Sequence, residues 1–125
     1  IVIGRKGSIG EVHYTTKDFW PIDTTYFVTP KQEIDWLWLF YLLKHCNLKR
    51  FHLSDVVPGL KRELALSLKV PLPPLPEQEE IANILSIIDR KIEIERRRKE
   101  LLKQLFKTML HKLMSGEIRL RNVEI

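Results

Sequence analysis

The stretch PEQEEIANILSIIDRKIEIERRRKELLKQLFKTMLHKLMSG, residues 76–116, decides the architecture. Its apolar side chains Ile81, Leu85, Ile88 and Ile92 step by 4, 3 and 4, and Leu102, Phe106, Met109 and Leu113 repeat the same steps. Continuing from Ile92 by 3, 4 and 3 passes through Glu95 and Lys99 and lands on Leu102. One heptad seam with a polar middle therefore runs the whole stretch, the pattern of a coiled coil. The ends agree with a helix. Pro76 suits the first helical position, where a missing N–H costs nothing. Glu77, Glu79 and Glu80 complement the positive end of the helix dipole, and Lys107, His111 and Lys112 the negative end. Ser115-Gly116 supplies a C-terminal stop. About 39 residues at a rise of 1.5 Å give a helix roughly 58 Å long. A domain built from the preceding 75 residues is too small to cover it, so a partner helix is expected. The alternative is a helix lying across its own domain.

Residues 1–75 have a different character. They hold all three Trp, all three Tyr, four of the five Phe and all but one of the Pro. Ile1-Val2-Ile3 is a short β-branched run that stops at Gly4. Gly4-Arg5-Lys6-Gly7-Ser8-Ile9-Gly10 then spaces three glycines three apart, and Glu11-Val12-His13-Tyr14 can form a second strand. Thr24 to Thr29 is β-branched and aromatic until Pro30, a third strand. Residues 34–45 form a helix whose apolar positions leave most of its circumference to be buried. Pro58-Gly59 marks a turn within residues 55–62. Lys69-Val70-Pro71-Leu72 is expected as an edge strand, because Pro71 cannot donate to a central ladder. Pro71, Pro73, Pro74 and Pro76 make a stiff connector into the long helix.

Composition limits the function classes. Across 125 residues, 44% apolar and 30% charged suit a folded domain. No run is apolar and long enough to span a membrane; the longest, Trp36 to Leu43, has eight residues. No secretory signal pattern is present. A single cysteine, Cys46, fits a reducing cytoplasm and excludes the usual cysteine-based zinc site. The net charge is +5; residues 1–76 carry ten basic and seven acidic groups, and residues 77–125 eleven and nine. That spread excess is compatible with a phosphate-bearing partner but does not require one.

Catalytic patterns are absent. The glycine segment is neither a dinucleotide fingerprint nor a phosphate loop, because Lys6-Gly7-Ser8 has the wrong order. No S-adenosylmethionine site is visible. His13, His45, His52 and His111 are scattered without ligand spacing. Ser8, Ser54 and Ser67 lack a nucleophile elbow, and Asp23 and Asp55 are best taken as turn or capping residues. What remains is a glycine turn carrying Arg5, Lys6 and Ser8, which lets backbone and cations approach a phosphate; a plain hairpin turn with solvated charges fits equally well. The basic run Arg96 to Lys99 points around the helix and has Glu93, Glu95 and Glu100 in pairing range. Trp20, Trp36, Trp38 and Tyr41 could stack on bases, but burial in the core is the stronger expectation.

The segment Val70-Pro71-Leu72-Pro73-Pro74-Leu75-Pro76-Glu77-Gln78-Glu79-Glu80-Ile81-Ala82, continuing to Leu85, Asp89 and Ile92, resembles the proline-rich motif and long helix of type I restriction–modification DNA specificity subunits. Residues 4–12 are similar to that family's Arg-Lys-Gly-x-Ile-Gly segment within a target recognition domain. Residues 113–120 resemble its helix ending. The resemblance implies an α+β architecture. Residues 1–75 would be a partial target recognition domain, 76–116 the coiled-coil spacer helix and 117–125 a tail. It implies a non-catalytic subunit that reads part of a bipartite duplex DNA target and recruits methyltransferase and then restriction subunits. S-adenosylmethionine and ATP/Mg would belong to those partners, with no cofactor in this chain. The sequence opens on Ile1 rather than Met, almost directly on the glycine segment, and is therefore expected to be a piece of a longer chain.

Arg5, Lys6 and Ser8, with Lys61 and Arg62 after the Pro58-Gly59 turn, are the expected DNA contacts. Ile81, Leu85, Ile88, Ile92, Leu102, Phe106, Met109 and Leu113 are the expected helix interface, pairing either with a second copy or within one subunit. An assembly module without DNA affinity is the rival reading. A small nuclease is a third, and cleavage of DNA with Mg²⁺ alone would mark it.

Overall fold

The computed structural model describes residues 1–53 and 58–120. Asp55 and Ser54 lie outside the described residues, as does the tail from residue 121. The chain divides into two compact units, residues 1–85 and 86–125.

In the first unit, β1 (Val2–Gly4) is the middle of a three-stranded antiparallel sheet, between β2 (Val12–His13) and β3 (Thr25–Phe27). Ile3 faces Val12 on one side and Tyr26 on the other. All three strands were expected from their β-branched and aromatic residues. Asp23 sits in the turn before β3, which the Thr25 N–H closes on the Ile22 carbonyl at 3.0 Å. Helix α1 (Trp36–His45) follows, capped by the Asp35 carboxylate, which accepts from the Trp38 N–H at 2.7 Å. A 3₁₀ turn (Leu48–Phe51) leads into a second, two-stranded sheet of β4 (His52–Leu53) and β5 (Gly59–Leu60), and then the short helix α2 (Arg62–Leu66).

Ile1, Ile3, Leu48 and Leu60 form the buried core, with Ile9, Val12, Tyr26, Leu39, Phe40, Leu43 and Phe51 packed around it. The core is thus drawn from β1, the 3₁₀ turn and β5, elements far apart in sequence. Each fully buried aliphatic side chain contributes about 1.5–3 kcal/mol.

Two expectations are corrected. Residues 69–72 are not a strand; the chain from 68 to 74 is irregular. Pro71, Pro73 and Pro74 remove three donors there, and a ladder needs donors on at least one edge. The tryptophans do not form one buried set either. Trp38 is buried, Trp36 is half exposed and Trp20 is 91% exposed. Helix α1 packs one side, through Leu39, Phe40 and Leu43, against the core and leaves the rest partly covered.

Helix α3 (Leu75–Met114) begins one residue before Pro76. Its first turn is fixed within the first unit by Gln78, a buried side chain. The Gln78 Oε1 accepts from the Asp35 N–H at 2.9 Å, and its Nε2 donates to the Pro73 carbonyl at 2.8 Å. One amide thus ties the start of α3 both to the α1 cap and to the proline connector, and Ala82 is buried one turn later. Gln78→Leu is expected to lower the stability of this unit by about 2–3 kcal/mol, because a buried donor and acceptor lose their partners together. Thermal or urea unfolding followed by tryptophan fluorescence would measure it, and a change below 0.5 kcal/mol on the scale of ordinary surface substitutions would refute it.

In the second unit, α3 carries its ion pairs along its own surface: Lys91–Glu95 at 3.0 Å, Arg98–Glu95 at 3.8 Å and Lys103–Glu100 at 3.0 Å. Lys91 holds the Glu95 carboxyl below the usual glutamate range through a hydrogen bond and its charge. The helix ends at Gly116, whose φ of +76° is the left-handed stop that glycine favours. The Gly116 and Ile118 N–H groups turn back to the Leu113 and Lys112 carbonyls. Ile88, Ile92, Leu102, Phe106, Met109 and Leu113 are all exposed.

Candidate nucleic-acid interface

The glycine turn is held by its own backbone. The Gly4 N–H donates to the Glu11 carbonyl and the Gly10 N–H to the Gly4 carbonyl, both at 2.9 Å. Gly4 is obligatory because any Cβ there would run into the Ser8 carbonyl. Gly10, at φ +72°, lies against the backbone of Leu48 and Lys49, where a Cβ has no room. Glu11 then reaches Lys49 in an ion pair across this approach. The hydrogen bond and charge of Lys49 hold the Glu11 carboxyl below its ordinary range. This contribution is present above the usual glutamate pKa and is lost as the pH falls through the lowered one.

The turn leaves Arg5 and Lys6 on β1's far side, where both N–H groups donate to the Thr24 carbonyl, at 2.9 and 3.1 Å. The decisive bond is long-range. The Leu60 N–H donates to the Arg5 carbonyl at 2.9 Å, bringing β5 beside the turn. Lys61 and Arg62 follow Leu60 directly, so the two basic pairs meet. Arg5, Lys6, Lys61 and Arg62 line one open cleft of about 490 Å³, together with Tyr26, Pro58, Gly59, Leu60 and Glu63. Four cations face one carboxylate, and none of the four is ion-paired among the described residues.

Tyr26 organises the floor. Its hydroxyl donates to the Leu60 carbonyl at 3.2 Å, and the Arg5 guanidinium sits 5.7 Å from its ring centre. Arg5 also donates to the Asp23 carbonyl at 3.1 Å. The guanidinium is therefore oriented by a ring and a carbonyl, without a carboxylate to neutralise it. Such a cleft is chemically suited to an anion with planar or multiple oxygen acceptors.

Four of the five expected contacts thus come together. Ser8 does not line this cleft; it lines a separate depression with Lys49 and His52. Tyr26 and Glu63 are members that sequence reasoning did not assign. Tyr26 counted only as a strand residue, and Glu63 follows Arg62 in the sequence. Among the described residues no cluster of His, Cys, Asp and Glu could hold a metal ion. Nor is any helix long and apolar enough to cross a membrane.

The family model described as the type I restriction modification DNA specificity domain matches residues 1–104. The chain is similar to the type I restriction enzyme MjaVIII specificity subunit of Methanocaldococcus jannaschii, at 35% identity over 102 residues, 78% of this chain and 24% of that protein. It is also similar to a putative type I restriction enzyme MjaX specificity subunit of the same organism, at 36% identity over 93 residues, 73% of this chain and 22% of that protein. The chain therefore spans about a quarter of the length of these curated relatives. The resemblance first carried by the glycine turn and the Pro-Pro-Leu-Pro-Glu-Gln segment extends to most of the sequence, and the chain belongs to the type I restriction–modification DNA specificity domain family.

Proposed function

We propose that the chain is a DNA-recognising, non-catalytic part of a type I restriction–modification specificity subunit. The observation that carries this reading is the Leu60-to-Arg5 backbone bond, which joins two basic pairs into one cleft with no ion-pair partners of their own among the described residues. Lys6 and Lys61 act as point charges on the phosphate backbone. Arg5 and Arg62 bring planar forks that can take a phosphate or the edge of a guanine. The specificity subunits among its relatives support DNA as the ligand. Helix α3 is the pairing surface, through Ile81, Leu85, Ile88, Ile92, Leu102, Phe106, Met109 and Leu113, and it carries the methyltransferase subunits, to which the restriction subunits are added. S-adenosylmethionine and ATP/Mg act on those subunits.

The exposed seam favours one rival, an assembly module with no DNA affinity. Binding of the purified chain to a labelled duplex across a salt series separates them. DNA recognition predicts a steep decline, with log K falling by about 0.9 per phosphate contact for each tenfold rise in salt, so roughly three to four for a four-cation cleft. No salt-sensitive binding at low ionic strength would leave the assembly reading.

A further inference from the structure

Among the described residues, the large apolar side chain most open to water is Trp20, at 91% exposure. It stands in the loop between β2 and β3, and its neighbours Phe19 and Ile22 are exposed as well. An indole left in water forgoes the burial that normally stabilises it. The loop is nevertheless braced at both ends. The Lys17 N–H donates to the Thr15 hydroxyl at 3.1 Å. The Ile22 carbonyl accepts from both the N–H and the hydroxyl of Thr25, each at 3.0 Å. Pro21 holds the Trp20 backbone toward the extended region. The ring is thus presented on a stiffened tip, which loses little freedom on meeting a ligand.

That tip joins the rim of the basic cleft. Asp23 and Thr24 end the loop. The Asp23 carbonyl takes the Arg5 guanidinium, and the Thr24 carbonyl takes the Arg5 and Lys6 N–H groups. Three residues span at most about 11 Å, so the Trp20 backbone stays close to the Asp23 carbonyl. Half a turn of duplex is about 17 Å, so one such stretch can meet both Trp20 and Arg5. Size bears on the occupant. One indole with two smaller neighbours offers a few hundred Å², roughly. A stable protein interface takes about 800 Å² from each partner, whereas the face of one or two bases is matched.

We infer that Trp20 inserts against the base stack of DNA beside the phosphate contacts of Arg5 and Lys6, as an uncharged contact that senses how easily the stack opens. The inference rests on the reading of the cleft as a DNA site and adds to it a residue outside the cleft, since Trp20 does not line it. An apolar wedge has to unstack a base step, which opposes binding. A duplex that already holds a gap spares that cost.

The test uses the full chain and two labelled duplexes of one arbitrary sequence, one intact and one with a central abasic site. Wild type is expected to bind the abasic duplex about fivefold more tightly, or better. Trp20→Ala should bind both duplexes alike, with an unchanged salt slope, because no charge is removed. Trp20→Phe keeps a ring and should keep most of the preference. At 91% exposure, Trp20→Ala should leave the melting temperature within about 2 °C of wild type, so folding is not the variable. Salt-sensitive binding in which Trp20→Ala retains the wild-type preference, or in which wild type has none, overturns the Trp20 contact and leaves the cleft standing. Absence of salt-sensitive binding to either duplex overturns the DNA reading and the Trp20 contact with it.

Discussion

Removing the cleft's charges together, by Arg5→Ala, Lys6→Ala, Lys61→Ala and Arg62→Ala, is expected to weaken duplex DNA binding more than a hundredfold at moderate salt. Four lost phosphate contacts reduce the salt slope by about 0.9 each, so the variant should lose most of its salt dependence along with its affinity. The loss must come from position and not from net charge. The same four-charge change at Lys17, Lys31, Lys69 and Lys107, all outside the cleft, takes the formal charge from +5 to +1 equally and should cost far less. Equal losses in the two variants would refute the cleft as the binding site.

Single substitutions then sort the roles. Lys6→Ala or Lys61→Ala should weaken all duplex sequences alike. Arg5→Lys keeps the charge but loses the planar fork that Tyr26 and the Asp23 carbonyl orient. If Arg5 meets a base edge, that change reduces preference among sequences by about 1–3 kcal/mol at one position while leaving the salt slope in place. Glu63 is the one carboxylate of the cleft among the described residues; a carboxylate repels phosphate and can accept from a cytosine amine, so its removal is expected to raise affinity and relax selectivity together.

How legible all this was in the sequence depends on the range of the interactions. The α3 seam follows from local periodicity, so its residues and its stop at Gly116 could be placed from the sequence. Gly4 and Gly10 announced a tight turn, but the reasons for them are the Ser8 carbonyl and the Leu48–Lys49 backbone, and the second is a tertiary contact. The pairing of β4 with β5 could not be foreseen, since each has two residues and too little alternation to register. The cleft itself depends on long-range bonds, from the Leu60 N–H to the Arg5 carbonyl and from the Tyr26 hydroxyl to the Leu60 carbonyl. Lys61 and Arg62 were legible as a basic pair after a turn, whereas their meeting with Arg5 depends on those bonds. Ser8 belonged to the right turn and pointed elsewhere, because the two positive-φ glycines fold the turn back on itself. Gln78 shows the opposite failure. In sequence it is an ordinary polar residue in the first turn of a helix. Its burial and both of its bonds depend on Asp35 and Pro73, one of which is 43 residues away.

The same contrast between local pattern and tertiary cause sharpens the second large effect. Leu85→Asp with Leu102→Asp is expected to abolish helix pairing, by at least a thousandfold in the association constant. On the heptad seam, Leu85 and Leu102 both lie on the stripe expected to face a partner helix. Each new carboxylate would enter an apolar layer, at several kcal/mol if left charged and unpaired. The single helix gives no such forecast. Leu102, Ile87 and Ile94 are 55%, 58% and 55% exposed there, so Asp at any of these three removes little buried apolar surface, and Leu85 is 36% exposed. Ile87→Asp with Ile94→Asp makes the same kind of change at exposed apolar positions, two residues past the seam positions Leu85 and Ile92 and off the facing stripe. It should leave association within about fivefold of wild type and the helix content unchanged. Sedimentation of the two variants side by side therefore tests the seam and not hydrophobicity in general. If both double substitutions reduce association equally, the heptad positions have no special role and pairing through this stripe is wrong.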